Sequence, residues 1–292
     1  MAFPNMSFIP SVAYSANLKT IGPSGPYDSR LPSKRLLNVS LPVQHIPLFR
    51  RVNSRVEKLM SSTTFDASHD YEHIQRVVQN AYNIYMDELF TDPFIAHRID
   101  PLVIYLSCLV HDVADHKYIQ DGENAELITE NLLLSCGASA DLARKVRIIA
   151  TNVSYSHESR NRALVQQLVE EHPELAIVQD ADRLDALGWV GQARTFVHHG
   201  ASVKFRNESL HVSMRYHWEK LSEFPMLMKT KFGRREGQDR WEWMLKTREQ
   251  WLRDTDVSDV VSDEDVSDYD EGVDEDIFRE GYIWVTGEVR EI

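Results

Sequence analysis

Apolar residues recur at three- and four-residue spacing through most of the chain between about residues 43 and 253. Over residues 71–90, Ile74, Val77, Val78, Ala81, Ile84 and Tyr85 share one face, the signature of an amphipathic helix. Residues 101–114 are nearly all apolar, which predicts a central helix buried on every side. Pro101 suits its first turn. Residues 122–135 carry Ala125, Leu127, Ile128, Leu132 and Leu133 and run into Gly137, a residue suited to close a helix. Further helices are predicted over 139–152, 161–171 and 175–187. Long amphipathic helices are predicted over about 207–230 and 238–253. No convincing alternating strand pattern occurs before residue 282. The pattern predicts an all-α fold, a single helical bundle domain over 43–253 without internal repeats.

The two ends differ from this middle and from each other. Residues 1–56 hold one acid, Asp28, against Lys19, Arg30, Lys34, Arg35, Arg50, Arg51 and Arg55. An acid-poor, Ser-rich, basic start has the look of an organelle transit peptide. Pro4, Pro10, Pro23, Pro26 and Pro32 interrupt any amphipathic helix there, so residues 1–42 are expected to be a disordered lead. Residues 254–276 contain twelve Asp or Glu and no Lys or Arg. Charge this dense repels itself and buries little, so a disordered acidic segment is expected. Ser258, Ser262 and Ser267 stand among acids, as acid-directed kinases prefer. Residues 277–292 end the chain with Ile277-Phe278 and Tyr282-Ile283-Trp284-Val285, an apolar end able to dock on the domain or to bind a partner.

Charge and cysteine content narrow the function. The net charge of −13 is carried almost wholly by the acidic segment, and the other residues sum to −1. No broad basic face for nucleic acid is expected. No apolar run approaches the ~18 residues of a membrane span. The two cysteines, Cys108 and Cys136, sit in apolar helix-like context and are expected as buried free thiols. A reducing compartment fits, and the cytoplasm is the expectation, with nuclear or organellar targeting by the N-terminal segment left open.

Three distant segments offer metal chemistry: His69-Asp70-Tyr71-Glu72-His73, His111-Asp112-Val113-Ala114-Asp115-His116, and Asp180-Ala181-Asp182-Arg183-Leu184-Asp185. A divalent ion that activates water needs mixed imidazole and carboxylate ligands and an open position. Three helices of a bundle could point His73, His111, Asp112 and Asp182 at one ion. Adjacent His111 and Asp112 differ by ~100° in direction on an ideal helix, so the ion is expected at the helix end.

These segments together resemble the HD-domain phosphohydrolase superfamily, whose signature is a His, a His-Asp pair and a distant Asp around a divalent metal. The match narrows through Ser68-His69-Asp70-Tyr71-Glu72-His73 with Arg76-Val77, Asn152-Val153-Ser154-Tyr155, Gln179 to Gly188, Ala193-Arg194-Thr195-Phe196 and His217-Trp218-Glu219-Lys220-Leu221. Over about residues 55–252 the chain is similar to the small, stand-alone members related to bacterial nucleotide pyrophosphohydrolases. The resemblance implies His73, His111, Asp112 and Asp182 as metal ligands. Mn²⁺ or Mg²⁺ is the leading ion, with Co²⁺, Ni²⁺, Fe²⁺ and Zn²⁺ as others. It implies Arg76 beside the site or on phosphate, and Asp185 in a supporting role to the ligands.

Related alarmone hydrolases keep an acidic pair two residues after their His-Asp. Here those positions are Asp115 and His116, which argues against alarmone hydrolysis and leaves the base open between the two. His69 and Asp70 are further supporting candidates, with Asp70 alternatively a helix cap. Lys117, Arg76, Arg183, Arg194 and Lys220 are available for phosphate. Asn152, Ser154 and Tyr155 could contact base, sugar or phosphate. His198-His199-Gly200 reads as a helix end with His at the negative dipole terminus. The expected activity is cleavage of a small phosphate ester, leading with a nucleoside triphosphate to monophosphate and pyrophosphate. A phosphomonoesterase or phosphodiesterase, a dinuclear oxygenase using His116, His157 or His172, and a non-catalytic interaction module are the rivals. The oligomeric state is open.

Overall fold

A computed structural model of the chain describes residues 40–62, 65–91, 94, 97–113, 125–258 and 260. The N-terminal lead to residue 39, the loop 114–124 and most of the acidic and apolar C-terminal segments lie outside the described residues. The chain divides into two compact units, Met1–Leu245 and Lys246–Ile292.

The first unit is built from helices, and among the described residues there is no strand. A short 3₁₀ turn at Val43–His45 leads into α1 (Ile46–Met60), followed by α2 (Tyr71–Thr91) and α3 (Pro101–Val110). Then come α4 (Ala125–Ser135), α5 (Ala140–Thr151), α6 (Tyr155–Arg160), α7 (Arg162–Glu171) and α8 (Glu174–Asp185). The series ends with α9 (Gly188–Ala201), α10 (His211–Glu219), α11 (Phe224–Leu227) and α12 (Lys231–Asp254), of which the residues to Leu245 belong to this unit. The expected all-α class is what the chain adopts.

Helix α3 is the centre. Every residue from Leu102 to Val110 is buried, as its unbroken apolar run requires. Each Leu, Ile or Val buried there contributes roughly 1.5–3 kcal/mol. The Asp100 side chain accepts from Leu102 N at 2.9 Å and caps the helix, with Pro101 in the first turn. Around α3 pack α1, α2, α5 and α8, and the most extensive pairing in the unit is α2 against α8. The predicted apolar face of α2 is buried throughout. Cys108 and Cys136 are free and buried.

One predicted helix breaks. The stretch 207–230 is α10, a 3₁₀ turn at Leu221–Glu223 and the single turn α11, with Met228 extended. Pro225 sits in the first turn of α11, where its missing N–H costs nothing, but a helix arriving from upstream could not run through it. Asp180 then takes the backbone N–H of Lys229 at 2.9 Å and of Thr230 at 2.7 Å, which holds these residues out of a helix. Helix α12 starts at Lys231, earlier than the pattern predicts.

The turn from α8 to α9 is tight. Gly188 has φ 73°, and a Cβ on Gly191 would lie 2.1 Å from the backbone of Ala186. Only glycine allows this approach, and it folds α9 back along the end of α8.

In the second unit, residues 246–254 are helical, Gln250 donates to Asp254 Oδ1 at 2.6 Å, and Thr255 Oγ1 donates to the Trp251 carbonyl at 2.8 Å. Among the described residues no helix is long and apolar enough to cross a membrane.

Candidate metal centre

Three helices bring four side chains to one point. His73 lies on the buried face of α2, and Asp182 lies in the last turn of α8. Helix α3 ends at Val110, so His111 and Asp112 sit in the turn that follows. His111 keeps helical backbone angles, φ −60° and ψ −34°, and the two side chains still reach one point at the helix end. His73 Nε2 is 3.3 Å from His111 Nε2, 3.2 Å from Asp112 Oδ2 and 3.5 Å from Asp182 Oδ1. His111 Nε2 is 3.4 Å from Asp112 Oδ1 and 3.6 Å from Asp182 Oδ1.

The tautomers follow from the outer partners. His73 Nδ1 donates to Asp185 Oδ2 at 2.8 Å. His111 Nδ1 donates to the Cys108 carbonyl at 2.9 Å. In the neutral rings the proton is therefore on Nδ1 and the lone pair on Nε2. Two nitrogen lone pairs and two carboxylates thus converge with no cationic side chain among them. Such a set repels itself unless a positive charge enters. Two donors each about 2.1 Å from one ion lie roughly 3.0–3.4 Å apart at octahedral to tetrahedral angles, close to the separations here. His73, His111 and Asp112 form a group that could hold a divalent ion, with Asp182 Oδ1 beside it at 3.5 Å from His73 Nε2. The imidazoles are buried, whereas Asp182 is 27% exposed, so the carboxylate side is open to water and ligand.

The titration behaviour reports the same demand for positive charge. Burial works against a charged His111, but Asp112 and Asp182 outweigh it and push its pKa up to about 9. Burial would raise Asp112, yet His111 and His73 hold it well below the usual carboxylate range. Asp182 is lowered for the same reason, with burial again opposed by the two imidazoles.

Asp185 anchors the arrangement. Arg76 Nε donates to its Oδ1 at 2.7 Å, and Arg194 Nη1 donates to its Oδ2 at 2.9 Å. Burial opposes its charge, but His73, Arg194 and Arg76 hold its carboxyl far below the ordinary range. Arg194 also donates through Nε to the Ser68 carbonyl at 2.7 Å. Both arginines, expected near phosphate, are thus engaged in holding Asp185. Arg76 remains 32% exposed and Arg194 is mostly covered. Asp70 Oδ1 accepts from the His73 backbone N–H at 3.0 Å, so Asp70 caps α2 rather than touching the imidazoles.

Other expected residues stand in different surroundings. Asn152 is buried at the end of α5, where its carbonyl accepts from Gln179 Nε2 at 2.8 Å. Tyr155 OH donates to Glu223 Oε2 at 3.1 Å, and its ring packs on Phe224. Lys220 Nζ donates to Tyr216 OH at 2.6 Å. Arg183 is 1% exposed and pairs with Glu158, which removes it from any phosphate. Asp115, His116 and Lys117 lie outside the described residues.

Two neighbours of the site, Asp66 and His198, have no signal in the helix pattern, whereas His69 is one of the expected supporting residues. His69 stands 6.2 Å, ring to ring, from His73 and 5.5 Å from His198. Asp66 joins that pair from the loop before α2. The sequence pattern reads His198 only as a helix-end residue. A cavity of about 380 Å³ reaches Arg76 and Asp185 and is walled by Asn80, Trp189, Arg240 and Trp243. The Trp189 and Trp243 rings lie 4.0 Å apart.

No family model matches the chain. It is 28% identical over 192 residues to the protein YpgQ of Bacillus subtilis, spanning 66% of this chain and 87% of that one. A crystal structure of YpgQ in complex with ADP superposes with a TM-score of 0.55 at 24% identity, covering 74% of this chain and 99% of YpgQ. An HD-superfamily hydrolase from Bacillus thuringiensis superposes with a TM-score of 0.51 at 25% identity, covering 72% of this chain and 97% of its own.

Proposed function

We propose that this chain, a metal-dependent phosphohydrolase of the HD superfamily, acts on nucleotides and releases pyrophosphate from nucleoside triphosphates. The observation that carries the reading is the convergence of the His73 and His111 lone pairs with Asp112 and Asp182. A divalent ion bound there would lower the pKa of water and offset charge on phosphoryl oxygens. Mn²⁺ or Mg²⁺ is the proposed ion.

The chain's own residues do the rest. Asp185 and the Cys108 carbonyl hold both imidazoles in the tautomer that offers Nε2 inward. Arg76 and Arg194 keep Asp185 charged, and the exposed edge of Arg76 would be available to a phosphate. Asp115 takes the proton from the attacking water, because it occupies the position where related enzymes keep an acid. Lys117 adds positive charge for the leaving phosphates. The nucleotide reading draws on YpgQ, which has been solved with ADP. A cavity of about 380 Å³ beside Arg76 falls within the usual range for small-molecule sites.

A panel of nucleotides, assayed with several divalent metals and with both products identified, tests this. Monophosphate plus pyrophosphate is the expected pair. Orthophosphate as the product would replace the reading with a phosphomonoesterase on the same site. For the base, Asp115→Asn is expected to lose ~10²–10⁴-fold in kcat at saturating metal. Retention of kcat by Asp115→Asn with a comparable loss in His116→Gln moves the role to His116.

A further inference from the structure

Beside the four converging ligands lies a second cluster with the same chemistry. Asp66, His69 and His198 each place a ligand atom within 4.8 Å of the others, and all three are partly exposed. They come from separate places: the loop before α2 supplies Asp66 and His69, and the last turn of α9 supplies His198. Arg194 and His198 are four residues apart, so they share one face of α9. Arg194 locks that face to the site through Asp185 and the Ser68 carbonyl. The neighbouring His199 points elsewhere, with Nδ1 2.7 Å from Ser213 Oγ.

The hydrogen bonds prepare these groups as ligands. Ser68 donates through both N and Oγ to Asp66 Oδ1, so Oδ2 is not used by Ser68. Having donated its proton to Asp66, Ser68 Oγ accepts from His69 Nδ1 at 2.7 Å. The His69 lone pair therefore sits on Nε2, as in His73 and His111. In all three rings an outer acceptor fixes the tautomer and turns Nε2 into the ligand. Asp66 is held below the ordinary carboxylate range by Ser68, His69 and His198 against the opposing effect of burial.

We propose that Asp66, His69 and His198 form a second divalent-metal site next to the first. Two imidazoles and one carboxylate with open positions suit a first-row transition ion such as Mn²⁺, Fe²⁺, Co²⁺ or Zn²⁺ better than Mg²⁺ or Ca²⁺. Because the cluster is partly exposed, water or an anionic ligand can complete its coordination. The His69 and His73 rings are 6.2 Å apart, so one phosphate chain can reach both sites. The site does not depend on which phosphate compound the enzyme cleaves.

Equilibrium dialysis of the full chain against Mn²⁺ or Co²⁺, with metal counted by mass spectrometry, reads the stoichiometry directly. The expected result is about two ions per chain, falling to about one in His198→Ala and in Asp112→Ala and to none in the double variant. His198→Gln serves if the alanine variant melts early, since it also lacks the imidazole. A single ion that Asp112→Ala removes and His198→Ala keeps overturns the second site and leaves the first standing. A single ion that His198→Ala removes and Asp112→Ala keeps supports the second site and sinks the first. Two ions retained in both His198 variants place the extra ion elsewhere and overturn the proposal.

Discussion

Helix α8 carries two polar systems on opposite faces, and they are built on opposite rules. On one face Asp180 and Arg183 enter a network of opposite charges. Glu158 accepts from Arg183 and, at 2.9 Å, from Lys229 Nζ, while Gln179 also donates to it at 3.2 Å. Asp180 is wholly buried and accepts from Lys229 N, Thr230 N and Thr230 Oγ1. Charge there is balanced by partners within the chain. On the other face Asp182 meets His73, His111 and Asp112, where acceptors outnumber donors and no cationic side chain enters. A buried polar cluster that balances itself holds the fold together. One that does not is a place for something from outside.

Variants should separate these two faces. The largest effect is expected from Asp112→Ala or His111→Ala, which should abolish metal binding at this centre and bring turnover to background. At neutral pH without metal each variant breaks the pairing of His111 with Asp112, so both should melt modestly below the metal-free wild type. Calorimetry with and without metal, beside the activity assay, checks both halves. A metal-free variant that is strongly destabilised would mean the cluster is structural.

Glu158→Ala should do the reverse. It leaves Arg183 and Lys229 buried without their anion, which costs about 3–5 kcal/mol. Denaturant unfolding should show this loss, while kcat per folded molecule stays near wild type.

Asp185→Asn is expected to be smaller and mixed. The amide can still accept from His73 Nδ1 but no longer balances Arg76 and Arg194. Metal affinity should fall about 10–100-fold, as for outer partners of metal ligands generally. Isothermal titration measures it, and an unchanged affinity would show that Asp185 serves only the arginines.

The smallest effect is a pH slope. Without metal, His111 titrates near about 9, above its unfolded value. Its contribution to stability is complete below about pH 6.5 and is lost as pH rises through about 9. Metal and proton compete for the same Nε2, so apparent metal affinity should strengthen over this window. Asp185 has the opposite sign: its depressed pKa contributes stability above about pH 4 that is lost on acidification. Stability curves of the metal-free protein across pH 4–10 (an arbitrary span that brackets the unfolded His value of ~6.5) separate the two.

What was legible in the chain beforehand, and what was not, divides along the same physical line. The apolar run 101–110 could only be a buried helix, because no polar face remained to meet water. The three-and-four spacing of residues 74–85 similarly determined which side of α2 is buried, and with it the side on which His73 lies. The motif residues His111, Asp112, Asp182 and Asp185 stood out because each sits beside such a run. Local pattern could not say which way neighbouring polar residues face. Asp70 became a cap because α2 starts at Tyr71. Arg183 was buried because Glu158, 25 residues away, lies opposite it. The 207–230 stretch broke because Asp180, 49 residues upstream of Lys229, claims two of its backbone N–H groups. His198 reached His69 only because Gly191 lets α9 fold tightly against the end of α8. Periodicity determines which face of a helix is buried. Contacts between distant segments depend on how those faces stack, and only the tertiary structure decided that.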